Sequence, residues 1–432
     1  MSDFDDDDQF LSETDSENDM DTNDDEKKSE KRVYLPTQGL ENDEQLIHDE
    51  TSYIMYHQAQ TGAPCLSFDV IPNDVTDTYP ASFSVVAGTQ SETSKANHII
   101  VMKMSNLHKT KEHRSNENND GDSSDEDEGC KPEMDTAMNI HHGGVNRIRC
   151  TKHNDITLAA SWSEHCAVHI WDLRSQMAAL ESPQAMESYL KDKKQRTSPP
   201  LFTFTGHMTE GFSLDWSPTM AGQLLTGDCK NNIHLWKPQG GGSWHVDQRS
   251  FSGHEGSVED IQWSPNEKTV FASCSVDTTI RIWDTRAAPS KACMLKAVAH
   301  ESDVNVISWN KHEPFLVSGG DDGLIKVWDL RQFDKGEAIA KFKHHTEPIT
   351  SVEWHPTDSS VFCASGADNQ ITQWDLGVEP DGDSDLKDVP PQLLFIHQGQ
   401  TDIKELHWHP VLSGIVMSTA VDGFNIFKTI SV

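Results

Sequence analysis

The chain is poor in positive charge, and several things that it lacks narrow its class. Its 432 residues include 35 Lys and Arg against 70 Asp and Glu, a formal net charge of −35. Such a chain repels phosphates, so direct binding of DNA or RNA is disfavoured and basic proteins are favoured as partners. No run approaches the roughly 20 apolar residues of a membrane span, and the start lacks the basic and apolar regions of a signal peptide.

The cysteines lack the spacing of a disulfide framework or a zinc site. No two of the 8 form a C-x-x-C pair, so they are interpreted as scattered core residues of a protein in a reducing compartment. No phosphate loop, metal-ligand cluster or unique nucleophile is recognisable in the sequence. We therefore expect no cofactor, no metal and no enzymatic activity.

The N-terminal region divides into an acidic tail and a short linking segment. Residues 1–32 are strongly acidic and poor in apolar residues, which predicts a disordered tail. In the segment 33–64, Asp49 is predicted to cap a short helix, with Glu50 in its first turn and Gly62 and Pro64 at its end.

A sequence repeat predicts the fold over residues 65–432. Four clear copies share a late tryptophan, at Trp236, Trp283, Trp328 and Trp374. These residues are separated by 47, 45 and 46 positions, the period of a four-stranded propeller blade. Weaker copies run from His142 to Trp171 and from His397 to Phe427, and strand patterns from residue 66 to 102 indicate one more. The chain is therefore predicted to be all-β, a seven-bladed WD40 β-propeller with a short N-terminal helix and a disordered acidic tail.

Recurring polar residues are interpreted as the structural network of each blade. Around His254, the imidazole is predicted to bridge Asp277 and the hydroxyl of Ser273 or Ser275, which in turn reaches the indole N–H of Trp283. A catalytic nucleophile is unique and exposed, whereas these residues recur, so they are not read as a catalytic triad. The predicted network comprises His207, Trp236, His254, Ser273, Asp277, Trp283, His300, Asp321, Trp328, His345, Asp368 and Trp374.

Three inserts, at 105–138, 173–200 and 377–391, are predicted to interrupt the blades, and such loops often carry binding specificity. The first insert is acidic. We favour partner binding over a solvated linker for it, because the N-terminal tail has the same sign of charge. Ser123 and Ser124 each precede an acidic residue by three positions and are candidate phosphorylation sites. The acidic-loop residues predicted to bind a basic partner are Asp120, Asp122, Asp125, Glu126, Asp127 and Glu128.

The spelling W-D-x-R ends three of the repeats, at Arg174, Arg286 and Arg331. It resembles the box by which some propellers dock on the adaptor of cullin-type ubiquitin ligases. The alternative, which we prefer, is that each arginine pairs with an acid of a neighbouring blade, because surface ion pairs carry little energy in either direction.

Several phrases outside the blade pattern resemble a known family. They are Tyr34–Pro36, Gln60–Asp69, Gly206–Met208, Ala287–Leu295 and Ile430–Val432. They are similar to those of the glutamate-rich WD-repeat-containing proteins, and the likeness covers nearly the whole chain from about residue 33. The acidic run departs from the pattern, because it is shorter and less rich in Glu than the family's name implies.

The resemblance implies an escort for a basic client. The family is similar to dedicated escorts of a large-subunit ribosomal protein, the one called L-three, in early ribosome assembly in the nucleolus. The segment near Tyr53 also resembles the start of the histone-binding retinoblastoma-associated propellers, in which an N-terminal helix and an acidic loop hold histone four. That likeness implies partner contacts for Tyr53, Ile54, Tyr56 and His57. We expect a nuclear and nucleolar protein that binds a ribosomal protein, with histone binding and ligase-adaptor docking as alternatives.

Overall fold

A computed structural model describes residues 49–72, 75–91, 97–115, 131–379 and 389–432. Its strands form seven four-stranded sheets, and every pair of neighbouring strands is antiparallel. The alternation of apolar and polar residues that marks each strand in the sequence places one set of side chains between adjacent blades. The predicted seven-bladed β-propeller is therefore confirmed.

The strands follow one another blade by blade after a first strand, β1 (Tyr53–Ala59). Blades 1 to 3 comprise β2 (Cys65–Val70), β3 (Ala81–Thr89), β4 (His98–Leu107), β5 (Glu133–Ile140); β6 (Val145–His153), β7 (Ile156–Ser163), β8 (Ala167–Asp172), β9 (Phe202–Phe204); β10 (Ser213–Trp216), β11 (Leu224–Gly227), β12 (Ile233–Gln239) and β13 (Ser243–Val246). Blades 4 and 5 comprise β14 (Val258–Trp263), β15 (Val270–Ser275), β16 (Thr279–Asp284), β17 (Cys293–Val298); β18 (Val304–Trp309), β19 (Phe315–Gly320), β20 (Leu324–Asp329) and β21 (Ala340–Lys343). Blades 6 and 7 comprise β22 (Ile349–Trp354), β23 (Val361–Gly366), β24 (Gln370–Asp375), β25 (Leu393–His397); β26 (Glu405–Trp408), β27 (Ile415–Ala420), β28 (Gly423–Thr429) and β1.

The seventh blade closes the ring by joining the two ends of the described chain. β1 pairs with β28, with Tyr56 opposite Phe427, so the helix predicted across this segment is wrong. Asp49 does cap a helical turn, because its carboxylate accepts from the backbone N of Thr51 at 3.0 Å, but that turn is only the 3₁₀ helix Glu50–Ser52. Pairing with a distant strand overrides the local helix signal. The propeller therefore begins at residue 53 and not at the predicted 65.

The four α-helices of the described residues are short. They are α1 (Lys111–Ser115), α2 (Arg174–Ala179), α3 (Pro183–Lys191) and α4 (Lys193–Arg196). The last three lie in the predicted insert 173–200, where Tyr189 donates to the backbone carbonyl of Met138 at 2.7 Å and so ties α3 to β5. The predicted insert 105–138 is wrong at both ends, because β4 extends to Leu107 and β5 starts at Glu133. No described helix combines the length and the apolar character of a membrane crossing.

A second recurring tryptophan, at the end of the first strand, links each blade to the one before it. Its indole N–H donates to a backbone carbonyl of the preceding blade, which satisfies the one polar group of a buried ring. The bonds are Trp216 to Arg149 at 2.9 Å, Trp263 to Asp215 at 3.2 Å, Trp354 to Ser308 at 3.0 Å and Trp408 to Glu353 at 3.1 Å.

The alternating strand directions give the propeller two faces. The loops that enter each first strand, and those between the second and third strands, lie at one end, which we call the top face. The turns after the first and third strands lie at the opposite end, the bottom face. The blade histidines and their aspartates are therefore at the top face, and the W-D-x-R turns are at the bottom face.

Candidate partner-binding surface

The polar network of blade 4 joins four side chains under the top face. The Nδ1 atom of His254 lies 2.9 Å from Asp277, and its Nε2 atom lies 2.7 Å from Ser273 Oγ. The indole N–H of Trp283 donates to the same hydroxyl at 2.8 Å. Of the two serines left open by the sequence, Ser273 is therefore the one in the network.

Blade 5 uses a different aspartate from the one predicted. His300 Nδ1 lies 2.9 Å from Asp322, whereas Asp321 is exposed and accepts from Asn305 at 2.8 Å. The assignment of Asp321 is wrong because two adjacent aspartates share one turn, and only the backbone direction decides which of them faces the histidine. Ser318 supplies the hydroxyl, 2.9 Å from His300 Nε2.

The remaining copies keep the geometry but vary the residues that supply it. In blade 2 the buried histidine is His141, which lies 3.1 Å from Ser161 Oγ, so the assignment to His142 is wrong. Threonine replaces serine in blades 3 and 6. The partners that the sequence reading missed are Asp228 and Thr226 for His207, Thr372 for His345, Ser318 and Asp322 for His300, and Ser161 for His141.

Burial sets the protonation of these networks. It lowers the pKa of His254, although hydrogen bonding to Asp277 works against the shift. Burial also opposes ionisation of Asp277, but hydrogen bonds from His254 and Thr279 outweigh it and hold the pKa of this carboxyl below its usual range. A neutral imidazole that donates to a carboxylate and accepts from a hydroxyl is fully satisfied. The network thus fixes the top-face loops.

The first strands line the central channel, and their side chains bond one blade to the next. A side-chain oxygen on one first strand accepts from a backbone N of the next first strand. These bonds are Asp69 to Cys150 at 2.7 Å, Asp215 to Trp263 at 2.7 Å, Gln262 to Trp309 at 2.8 Å, Ser308 to Trp354 at 3.1 Å, Glu353 to Trp408 at 2.9 Å and Glu405 to Phe68 at 2.8 Å.

Blade 2 interrupts this ring with two arginines. Arg147 and Arg149 both donate to Glu405, at 2.6 Å and 2.7 Å. Burial opposes ionisation of Glu405, but the two arginines outweigh it and hold the pKa of this carboxyl well below its usual range. Burial opposes the charge of His407 as well, yet Glu353 and Glu405 raise its pKa to about 10. The channel is therefore a braced ionic core.

The top face carries a crowd of carboxylates with few cations among them. The loops that enter the first strands, together with the loops between second and third strands, contribute Glu164, Glu210, Glu255, Glu259, Glu301, Asp303, Asp321, Glu347, Asp402 and Asp422. The Lys and Arg residues on the described part of these loops and strand starts are Arg147, Lys230 and Lys404. Two of these cations are already engaged, since Arg147 binds Glu405 and Lys404 lies 2.6 Å from Asp402.

Crowding is visible in the titration of the top-face acids. Burial raises the pKa of Asp303, and the nearby Asp321 raises it further. Burial likewise raises the pKa of Glu259, with a further rise from Asp303 and Asp260 against the lowering effect of Arg147. Carboxylates that repel one another gain energy when a cation is brought among them. The top face is thus suited to a basic partner.

The W-D-x-R arginines bind the aspartate of their own box. In the box that ends β16, Asp284 accepts from the side chain of Arg286 at 2.9 Å and also from its backbone N at 2.9 Å. Arg174 pairs in the same way with Asp172, and Arg331 with Asp329. The predicted pairing with a neighbouring blade is wrong, because the turn after the third strand brings residues two apart face to face.

The other predicted binding residues have mixed outcomes. Ser123, Ser124 and the acidic-loop residues 120–128 lie outside the described residues. Tyr53 is buried, and its hydroxyl lies 2.7 Å from His397 Nδ1. His57 lies 2.9 Å from the backbone carbonyl of His108, while Ile54 accepts a backbone bond from Thr110 at 2.9 Å. These side chains hold β1 in place, and their predicted partner contacts stay a prediction.

Neither a disulfide nor a metal cluster occurs in the part of the chain that the structure describes. The seven described cysteines are free thiols. Among the described residues, no three His, Cys, Asp or Glu side chains are grouped so as to hold a metal ion. The buried networks repeat from blade to blade, so they offer binding geometry and not the unique nucleophile of an active site.

Comparison with known protein families defines the class. The family described as WD domain, G-beta repeat matches residues 246–284, 292–329 and 336–375. The family of the histone-binding protein RBBP4 and its counterpart in the CAF1 complex matches residues 43–108. The chain is therefore a WD-repeat propeller whose first blade and closing strand are of the histone-binding type.

Three similar proteins are more specific. The ribosome assembly protein rrb1 of Schizosaccharomyces pombe is 40% identical over 92% of this chain and 84% of its own length. The protein heat stress tolerant DWD 1 of Arabidopsis thaliana is 40% identical over 91% of this chain and 90% of its own. Glutamate-rich WD repeat-containing protein 1 of Dictyostelium discoideum is 42% identical over 94% of this chain and 86% of its own. The chain belongs to the glutamate-rich WD-repeat-containing protein family.

Proposed function

We propose that this protein escorts a basic client, a ribosomal protein of the large subunit, during ribosome assembly in the nucleolus. The observation that carries the proposal is the top face, where repelling carboxylates such as Asp303 and Glu259 lie together with few cations. A similar protein named for ribosome assembly supports the client class. The acidic-loop residues 120–128 and the acidic tail would add to the same field.

The mechanism is charge screening on a rigid platform. A free basic client binds RNA or aggregates, and a carboxylate field raises its encounter rate with the propeller while covering its charge. The blade networks fix the top-face loops in advance, so little ordering entropy is lost on binding. Exposed charges are screened within roughly 8 Å at physiological ionic strength, so the affinity should fall as salt rises.

The test is a competition between two clients with two matched variants. The purified full chain meets the L-three ribosomal protein and a histone three–four dimer together at physiological salt, and the bound client is quantified. One variant combines Glu259→Gln, Glu301→Gln and Asp303→Asn on the top face. The other makes the same charge change on the bottom face, at Glu267, Glu313 and Asp334.

The expected result is preference for the ribosomal protein and a top-face effect. Loss of three charges should weaken binding about ten-fold if each contributes roughly 0.5 kcal/mol. The bottom-face variant should change the affinity by less than about two-fold. Equal loss in both variants would show that net charge alone binds the client, and preference for histones would overturn the ribosomal assignment.

Histone binding is the second candidate, favoured by the family match over residues 43–108. In this segment Tyr56 and His57 are half-buried on β1, beside the outer edge where Thr110 bonds to Ile54. Tyr56→Ala with His57→Ala should then weaken histone binding and leave ribosomal-protein binding unchanged. The reverse pattern would remove this candidate.

Docking on a ligase adaptor is supported only by the exposed arginine heads. The side chains of Arg174, Arg286 and Arg331 are 64%, 76% and 65% exposed, and each is held in place by its aspartate. Arg286→Ala combined with Arg331→Ala should abolish pull-down of the adaptor. Retained binding would exclude this role for the boxes.

A further inference from the structure

One top-face loop departs from the acidic character of its neighbours. Met208 is 77% exposed, more than any other large apolar side chain among the described residues. It follows the blade histidine His207 directly. In the other blades the residue after that histidine is polar: His142, Glu255, Glu301, Thr346 and Gln398.

A second apolar residue lies in the same loop. Phe212 is half-buried at the start of the first strand, at the mouth of the channel. The corresponding residues of the next three blades are polar: Glu259, Asn305 and Thr350. Blade 3 thus presents two apolar side chains, at residues 208 and 212, where its neighbours present polar or acidic ones.

The loop is held rigidly, so its exposed methionine is not a consequence of disorder. Asn146 of blade 2 donates to Glu210 at 2.9 Å, and the backbone N of Cys229 donates to the Glu210 carbonyl at 3.0 Å. A Cβ atom on Gly211 would lie 2.2 Å from the backbone oxygen of Gly227, so the chain passes too closely for any residue but glycine. A fixed apolar side chain costs little entropy when a partner covers it.

Acids from two blades surround this loop. Burial raises the pKa of the Cys229 thiol, and Glu259 and Glu210 raise it further. Both carboxylates therefore lie near the loop that carries Met208. An apolar step within an acidic field fits an apolar side chain flanked by basic ones.

We propose that Met208, with Phe212, is the apolar anchor of the client-binding face and receives an apolar side chain flanked by Lys or Arg in the client. The inference rests on the proposed function and deepens it, because it divides binding into a charge component and an apolar component. The charge component should fall with salt, whereas the apolar component should persist.

The experiment uses two basic peptides as probes against the full-length protein. Both peptides alternate lysine and serine over about fifteen residues, long enough to span several loops, and they differ only at the centre, which is leucine in one and glycine in the other. Affinities are measured at low and at physiological salt for the parent and for Met208→Ser. The matched control is Met294→Ser, because Met294 is 60% exposed on the outer strand β17, away from the top-face loops.

The parent should prefer the leucine peptide by about five-fold at both salt concentrations, the effect of partly burying two apolar side chains. Met208→Ser should remove that preference and leave binding of the glycine peptide unchanged, while Met294→Ser keeps it. Equal binding of both peptides by the parent, or an unchanged preference in Met208→Ser, would overturn the anchor. Failure of the proposed function looks different, because then neither peptide would bind and the top-face charge variant would not differ from its control.

Discussion

Replacing Glu405 with glutamine should be among the most damaging single substitutions in the propeller. Its side chain is 1% exposed and accepts from Arg147 at 2.6 Å, Arg149 at 2.7 Å and the backbone N of Phe68 at 2.8 Å. Glutamine keeps the shape but removes the charge and turns one acceptor into a donor, so two largely buried guanidinium groups lose their counterion. Breaking a buried ion pair from one side costs about 3–5 kcal/mol, and we expect a loss of that size in the free energy of unfolding.

Denaturant unfolding followed by tryptophan fluorescence measures this loss. The control is Glu255→Gln, which removes the same charge from an exposed top-face side chain and should stay within about 0.5 kcal/mol of the parent. A loss below about 1 kcal/mol for Glu405→Gln would refute the reasoning, because the arginines would then be stable without their acceptor.

Three further outcomes test other parts of the structure. Asp322→Ala should destabilise by about 1–3 kcal/mol because His300 loses its acceptor, and Asp321→Ala should change stability by less than about 0.5 kcal/mol; equal thermal shifts would contradict the assignment. The pKa of His407 is raised from 6.5 to about 10, so its stabilising charge is fully present below pH 6.5 and is lost as the pH rises through 10. His407→Gln should flatten the stability curve over that window by up to about 1.4 kcal/mol per pH unit, and an unchanged slope would exclude this charge as the cause. Tyr53→Phe removes a buried hydrogen bond of 2.7 Å and should lower stability by about 1 kcal/mol in thermal unfolding, whereas an unaltered midpoint would mean that strand pairing alone holds β1.

The repeat itself was readable because each blade solves the same local problem. The late indole must fill the space between two sheets and donate its N–H to one hydroxyl, which restricts that position to tryptophan in four consecutive copies. Trp283 on Ser273 and Trp328 on Ser318 show the same bond, at 2.8 Å and 2.9 Å. Strand alternation around these residues is equally local. Fold class and blade count were therefore predictable from the sequence.

The binding face was not readable, because it is assembled from loops far apart in the chain. Glu210, Glu259 and Asp303 belong to three blades, and only the ring brings their carboxylates to one end of the molecule. The ionic core is equally non-local, since Glu405 meets Arg149 across 256 positions.

The sequence by itself determined the repeat, the blade residues and the excess of acid, because period, residue type and charge are properties of local stretches. The tertiary structure alone decided that residues 53–59 form a strand, that Asp322 and not Asp321 meets His300, and that the W-D-x-R arginines bind their own aspartates. Asp49 signals the same cap whether three or ten helical residues follow it, and two adjacent aspartates have the same local preference. Pairing with β28, at the far end of the chain, selected the strand because it satisfies a whole row of backbone hydrogen bonds and closes the ring.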